Sequence, residues 1–522
     1  MADTDLALTG LPLFSRSAPP GPPCPPAAPP APPGAAADRY VTAAGPADPG
    51  APPAAARTAG AAGTGSWDGA GATASGPGYP PVDWALVRAF RQQAAERLTV
   101  ALSDRPGLDE GGRRELGRAL VVELLREHTG ELVSSGAAVF DPAAEQRLSQ
   151  AVFDALFGLG RLQPLVDDEQ VENIEIDGCD RVHLVYADGR VVRGPAVADT
   201  DEELVEALAF LAARAPDGAE RSFSPSRPFL DLTLHGGARL AARAWVTPRP
   251  SVVIRRHRLR EVTLDGLRDR GMVSPGLAEF LRAAVRARRS VVVSGPQGGG
   301  KTTLVRALCG ELDPLERVGT IETEYELGLH QLPERHHRVV AHEARPGTGE
   351  RGPDGRPAGE VTLHELLFAS LRMNLSRVIV GEVRGPEVIP MFKAMQAGAG
   401  SLSTVHAHSA RAAIERLVTC ALEAGPHVTT EFAYRQIADH IDLIVQVALE
   451  EPVPGGPRRR YISEVIEVAR GESGVPAVTD VYVPGPDGPA VPHSRPSFLP
   501  QLIAGGFDPW LLHPDGPAGG PR

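Results

Sequence analysis

Eight consecutive residues, Gly295-Pro296-Gln297-Gly298-Gly299-Gly300-Lys301-Thr302, have types and spacing suited to gripping phosphate. Glycines at this density let successive backbone N–H groups turn inward around an anion, an approach that a Cβ would block. In this pattern the lysine bridges the β- and γ-phosphates, and the hydroxyl of Thr302 is placed to meet Mg²⁺. Thr303 continues the same turn. The apolar run Ser290–Val293 precedes the loop, and Lys301–Leu308 has the composition of a helix. Strand, loop, helix is the context that makes the pattern specific for a nucleotide such as ATP. A glycine-rich turn with a solvent-exposed lysine is the plain alternative. Against it, the chain uses lysine only at Lys301 and Lys393 among 53 cationic side chains.

Two further strand ends carry carboxylates. Arg377-Val378-Ile379-Val380 leads into Gly381-Glu382, and a buried strand aims its last side chain at the crevice where nucleotides bind. Glu382 is placed to orient an attacking water or to act through Mg²⁺. Thr320-Ile321-Glu322 repeats the arrangement and makes Glu322 a second candidate; Glu324 and Glu326 behind it read as a solvated acidic face. Ser401-Leu402-Ser403-Thr404-Val405-His406-Ala407-His408 ends a third strand in histidine. His406 is a candidate γ-phosphate sensor, with His408 left open between site and structure.

These groups need a scaffold, and the chain alternates accordingly. Residues 1–80 are rich in Pro, Ala and Gly and are expected to be a disordered tail, either a tether or a proline-motif ligand. Residues 82–165 read as a helical lead-in, with Leu116, Leu120, Val121 and Leu124 at helical spacing and Asp141-Pro142 opening a helix. Residues 166–260 read as a mixed α/β N-terminal domain with strands around 171–176, 182–186, 191–192, 240–245 and 251–256 and a helix over 201–214. Residues 275–475 read as alternating helix and strand, hence a parallel sheet. Thr362-x-x-Glu365 predicts a capping box. Pro390 predicts that the helix after Glu382 starts late or kinks. From 480 to 522 the composition turns Pro/Gly-rich, a C-terminal tail whose Phe498–Ile503 patch is either a docking peptide or packed back.

At 522 residues the chain holds two or three domains. A net charge of −12 argues against coating nucleic acid, which makes DNA an improbable partner without excluding a local basic channel. Four cysteines without paired spacing fit a reducing cytoplasm and no zinc site. Met1-Ala2-Asp3-Thr4-Asp5 has no signal-peptide pattern, and no apolar run is long enough to span a membrane.

The order of phosphate loop, Glu322 strand, Arg372 helix, Gly381-Glu382 strand and Ser-x-Ser-Thr-Val-His-Ala resembles the type II/type IV secretion ATPase superfamily. Within it, Val380-Gly-Glu-Val-Arg-Gly385, Met395-Gln-Ala-Gly, Ile254-Arg-Arg and the upstream Phe157–Val166 and Glu172–Gly178 stretches resemble the CpaF-like, tight-adherence pilus branch. The likeness covers about residues 140–470. It implies a RecA-like ATPase domain behind a smaller N-terminal domain, a homo-hexamer, and work on integral membrane platform proteins from the cytoplasmic face. It also implies that Arg255 and Arg256 close over the nucleotide from the N-terminal domain. Where that family's acidic box continues Glu-Asp, this chain has Thr323 after Glu322. The functions it suggests are an ATP-driven motor for pilus assembly or secretion, the same engine in conjugative DNA transfer, or a nucleotide-dependent scaffold with little turnover.

Overall fold

The computed structural model describes residues 79–513, apart from 106, 215–221, 235, 257–260, 346, 348–351, 353–354, 452–457 and 473. Most of the Pro-rich N-terminal stretch therefore lies outside the described residues.

Three helices lead in: α1 (Trp84–Ser103), α2 (Glu110–Ser135) and α3 (Pro142–Phe157). Asp83, Asp109 and Asp141 cap them by accepting backbone N–H groups of their first turns, and Gly136 ends α2 in the left-handed conformation at φ 70°. Val87, Phe90, Val121, Leu124, Leu148 and Val152 close their common core. A short helix, α4 (Gln163–Asp167), leads into the first sheet.

That sheet contains β1 (Val171–Asp177), β2 (Val182–Tyr186), β3 (Val191–Arg193), β4 (Phe229–Thr233), β5 (Arg239–Arg243) and β6 (Ser251–Arg255), with α5 (Asp201–Ala213) between β3 and β4. The spatial order is β3-β2-β1-β6-β5-β4, every pair antiparallel. Ile174, Ile176, Leu240, Val252 and Ile254 bury one face against Leu204 and Leu208 of α5. Phe229 and Val253 stay exposed on alternating positions. The strand β4 escaped the sequence reading although Phe-Leu-Asp-Leu-Thr alternates out and in.

The second sheet grows from α6 (Leu264–Asp269), α7 (Pro275–Arg286), β7 (Val291–Gly295), α8 (Lys301–Cys309), β8 (Val318–Glu322), β9 (Val339–Glu343), α9 (Leu363–Ser370), β10 (Arg377–Val383), α10 (Val388–Ala397), β11 (Leu402–His406), α11 (Ala410–Leu422) and α12 (Thr430–His440). It finishes with β12 (Leu443–Glu450), β13 (Arg459–Arg470), β14 (Pro476–Pro484), β15 (Ala490–Pro492) and α13 (Leu499–Ala504). The order is β15-β14-β13-β12-β7-β11-β10-β8-β9; β12 through β9 run parallel and the other three extend the edge antiparallel. Val291 and Val293 face the α7–α8 core, and Val292 faces the α10–α11 core. Burial on both faces explains why β7 is an unbroken apolar run. This is the RecA-like arrangement, with the smaller mixed α/β unit before it.

Two local expectations are met with detail. The Thr362/Glu365 capping box is complete. The helix α10 does start late, at Val388, which puts Pro390 in its first turn where no intrahelical N–H is lost. The stretch beyond 480 corrects the expectation of a tail. In the described residues to 513 it forms β15 and α13, and Phe498, Leu502, Phe507 and Leu512 are buried. The Phe507 ring meets Phe280 of α7 at 5.8 Å, and Glu467 accepts the Ser497 backbone N–H at 3.0 Å. Composition misled because glycine and proline in short connections look the same as glycine and proline in loose chain.

A candidate nucleotide site at four strand ends

The strand register gathers the candidates. His406 lies opposite Gly295, Val405 opposite Val383, and Val380 opposite Ile321. The carboxyl ends of β7, β11, β10 and β8 therefore stand side by side, at the place where parallel sheets bind ligands. A register shift between Val380 and Val383 lies where β10 carries Gly381 and Glu382. Gly381 gives room there, since a Cβ would fall 3.1 Å from Glu322 Cγ, a tight contact. Thr404 donates to the Gly381 carbonyl at 3.0 Å and steadies the irregular turn.

In the loop, Gly298 and Gly300 have φ of 73° and 94°. A Cβ on Gly295 would meet the Val447 carbonyl at 2.6 Å. Gly300 caps α8 with no side-chain hydrogen bond, which leaves the opening N–H groups of that helix for an anion. Gly299 donates its N–H to the Pro296 carbonyl at 3.2 Å. The following Thr303 sits in the first turn of α8.

Lys301 is buried and donates to the Pro296 carbonyl at 2.9 Å. It also lies 3.1 Å from His406 Nδ1. Burial pulls its ammonium down to about 8, Glu382 works in the opposite direction, and Arg255 adds to the fall. Lys301 still carries its charge at neutral pH. An ammonium only donates, so His406 Nδ1 must accept and Nε2 must hold the ring proton. Nε2 lies 2.8 Å from Glu382 Oε1, and Arg384 Nη2 lies 2.6 Å from Glu382 Oε2. Burial alone would raise the Glu382 carboxyl, yet the His406 and Arg384 contacts hold it at about 2. Lysine, histidine, glutamate and arginine thus form one continuous chain from the start of α8 across the ends of β11 and β10.

Glu322 sits in different surroundings. It is 2 % exposed, and its Oε2 accepts the N–H groups of Glu326 at 2.7 Å and Leu327 at 2.8 Å. Burial pushes its carboxyl up to about 7 against the pull of those two N–H groups. Thr320 is near enough to oppose the rise, but neither its hydroxyl nor Glu322 Oε1 meets hydrogen-bond geometry among the described residues. A buried oxygen left without a partner suits a site that receives a polar ligand.

Glu324 and Glu326 are not the solvated face their sequence suggests. Thr302 donates its hydroxyl to Glu326 Oε2 at 2.8 Å. Arg239, on β5 of the other sheet, pairs with Glu326 Oε1 and lies 2.8 Å from Glu324 Oε2. Sequence reading missed Arg239, Glu326 and Arg384, because their partners are brought in by the fold. The alternation of β5, which puts Arg239 and Arg243 on the face opposite Leu240 and Ala242, was the only available hint. Of the two arginines expected from the first sheet, Arg255 acts electrostatically on Lys301. Arg256 turns the other way, pairing with the Asp168 carbonyl while its own N–H donates to Glu172. The structure thus brings Arg255 to the site and leaves Arg256 tied within the N-terminal unit.

Glycine geometry, an uncapped helix start, a buried lysine and an orphaned carboxylate oxygen together fit a nucleotide triphosphate with Mg²⁺. No cluster of three or more His, Cys, Asp or Glu suited to holding a metal by itself occurs among the described residues. The family described as "Type II/IV secretion system protein" matches residues 232–452. A Mycobacterium tuberculosis protein named for conjugal transfer is 30% identical over 333 residues, 62% of this chain and 88% of that one. The type IV secretion system protein PtlH of Bordetella pertussis is 32% identical over 283 residues, covering 49% and 79%. The type IV secretion system protein VirB11 of Brucella suis is 30% identical over 356 residues, covering 62% and 92%.

Proposed function

Because this chain belongs to the type II/type IV secretion system protein family, whose P-loop ATPase core it carries, we propose that it is a homo-hexameric motor. Hydrolysis of ATP drives pilus assembly or protein secretion through an integral membrane platform, with the motor at the cytoplasmic face of the membrane and held there by its partners. No helix among the described residues is long and apolar enough to cross a membrane. The pilus branch is favoured by the Val380–Gly385 and Ile254-Arg-Arg stretches.

The observation that carries this reading is the unbroken contact chain Lys301–His406–Glu382–Arg384 at the carboxyl ends of adjacent strands. Lys301 has two of its N–H directions engaged within the site and the third available for a phosphate oxygen. Thr302 would hold Mg²⁺, which supplies neutralising charge on the β- and γ-phosphates. Glu382, held near 2, is too weak a base to abstract a proton; as a fixed anion it orients the attacking water. Its Oε1 meets only His406 among the contacts above and keeps a lone pair for that water. His406, bonded at once to Lys301 and Glu382, reports the γ-phosphate from one to the other. Glu322, neutral or charged near pH 7, adjusts the charge on the far side of the loop. Arg255 closes from the N-terminal sheet, and Arg239 joins that sheet to Thr302 through Glu326. Force comes from the two sheets moving about this joint.

Phosphate release by the purified chain tests the enzyme, and Lys301→Ala with Glu382→Gln tests the assignment. Continued turnover in both variants would overturn it. A second reading, conjugative DNA transfer, is favoured by the mycobacterial relative's name and disfavoured by the −12 charge. Capture of a polytopic membrane protein supports the pilus reading; salt-sensitive DNA binding supports the other.

A further inference from the structure

One arginine outside every motif touches the phosphate loop. Arg460 on β13 donates through Nε to the Gly298 carbonyl at 2.8 Å. Its Nη2 donates to both carboxylate oxygens of Glu172 on β1, at 3.0 and 3.1 Å. Both side chains are largely shielded, at 23% and 18% exposure. A single planar cation therefore joins the loop to the first sheet, whose Glu172 lies 288 residues before Arg460 in sequence.

The loop has reason to need such an anchor. Gly298, Gly299 and Gly300 are the least restrained run of backbone a chain can have, and ordering them opposes ligand binding. Inside the loop, the Pro296 carbonyl already accepts from Gly299 and Lys301. The Gly298 carbonyl, in a residue with φ of 73°, is fixed from outside by Arg460. A peptide plane held by its oxygen is held by its N–H as well. Glu172 in turn aims the guanidinium, and its backbone carbonyl accepts the Arg256 N–H at 2.9 Å, next to Arg255. Through Glu172, Arg460 is thereby tied to β1, whose Asn173 is paired with Arg255, the arginine that acts on Lys301.

We propose that Arg460 is a positioning residue for ATP: it holds the glycine loop in its phosphate-binding shape and, through Glu172, makes that shape depend on where the N-terminal sheet sits. This rests on the ATPase reading above. Loss of the arginine then weakens nucleotide binding while leaving the chemical step, which uses other side chains, nearly intact.

The test uses the full chain, a fluorescent ATP analogue for Kd and phosphate release for kcat and KM. Arg460→Ala is expected to raise Kd and KM about tenfold with kcat changed less than about threefold. Arg460→Lys, which keeps the charge but not the fork, recovers part of the loss. Glu172→Gln raises Kd less, and the double variant binds no worse than Arg460→Ala, because Glu172 works only through Arg460. Unchanged Kd in Arg460→Ala, additive losses in the double variant, or equal falls in kcat and kcat/KM would overturn the proposal. Should Arg460→Ala not fold, an unchanged Kd in folded Glu172→Gln overturns it alone. Failure of the parent chain to bind ATP, or binding that survives Lys301→Ala, overturns the ATPase reading and this inference with it.

Discussion

The two walls of the nucleotide site treat their carboxylates in opposite ways. On the β10–β11 wall Glu382 is buried among charges, and His406 and Arg384 hold it near 2. On the β8 wall Glu322 is more deeply buried, accepts two backbone N–H groups and has no ion-pair partner among the described residues, and burial raises it to about 7. Burial acts on both; the presence of cationic and N–H partners decides the outcome. One wall therefore offers a permanent anion, the other a group that changes charge near neutrality.

The largest expected effect breaks the first wall. Lys301→Ala and Glu382→Gln should each lower turnover by roughly a hundredfold to ten-thousandfold, read as phosphate release at saturating ATP. A loss confined to KM would mean that the charged chain only binds.

The next effect sharpens the contrast. Glu322 is protonated below about 7, so wild-type turnover should fall as the pH drops through 7. Glu322→Gln should lower turnover about tenfold and flatten that acid limb. A limb that persists in the variant assigns it to another group. The same carboxyl has a stability signature of definite sign. Its folded pKa lies above the unfolded value, so its contribution to stability is greatest at low pH and declines as pH rises from about 4.5 to 7. Glu322→Gln should thus melt higher than wild type at pH 8, by up to roughly 3 kcal/mol, with the gap closing by pH 4.

Smaller changes probe how each wall is supported. Arg239→Ala removes the partner of Glu324 and Glu326 and should cut turnover a few-fold, through a freer Thr302. Arg384→Gln should change it least, about twofold, since that side chain is 68% exposed and His406 keeps its own hold on Glu382.

The difference between the walls also marks what was legible in the sequence. Lys301, Glu382, Glu322 and His406 could be read because each stands at the end of an apolar strand or beside a glycine pattern, which are local signals. The neighbours that decide their charge states could not. Glu326 looked solvated until Arg239 arrived from 87 residues upstream. Arg255 and Arg256 looked equivalent in sequence, but Arg255 ends β6 and acts on Lys301, whereas Arg256 just beyond it pairs with the Asp168 carbonyl. In the fold, β7, β8 and β10 were clear from their apolar runs, whereas β14 and β15 hid behind proline and glycine.

The pad formed by Phe498, Leu502, Phe507 and Leu512 has a consequence for the order in which the molecule is made. Helix α7, which feeds directly into the phosphate-loop strand, lacks two ring partners of Phe280 until Tyr482 and then Phe507 have been synthesised. Strand β7 likewise waits for β12, its neighbour on one side, more than 140 residues later. A growing chain therefore leaves part of the ATPase core without its partners until these later segments have been made.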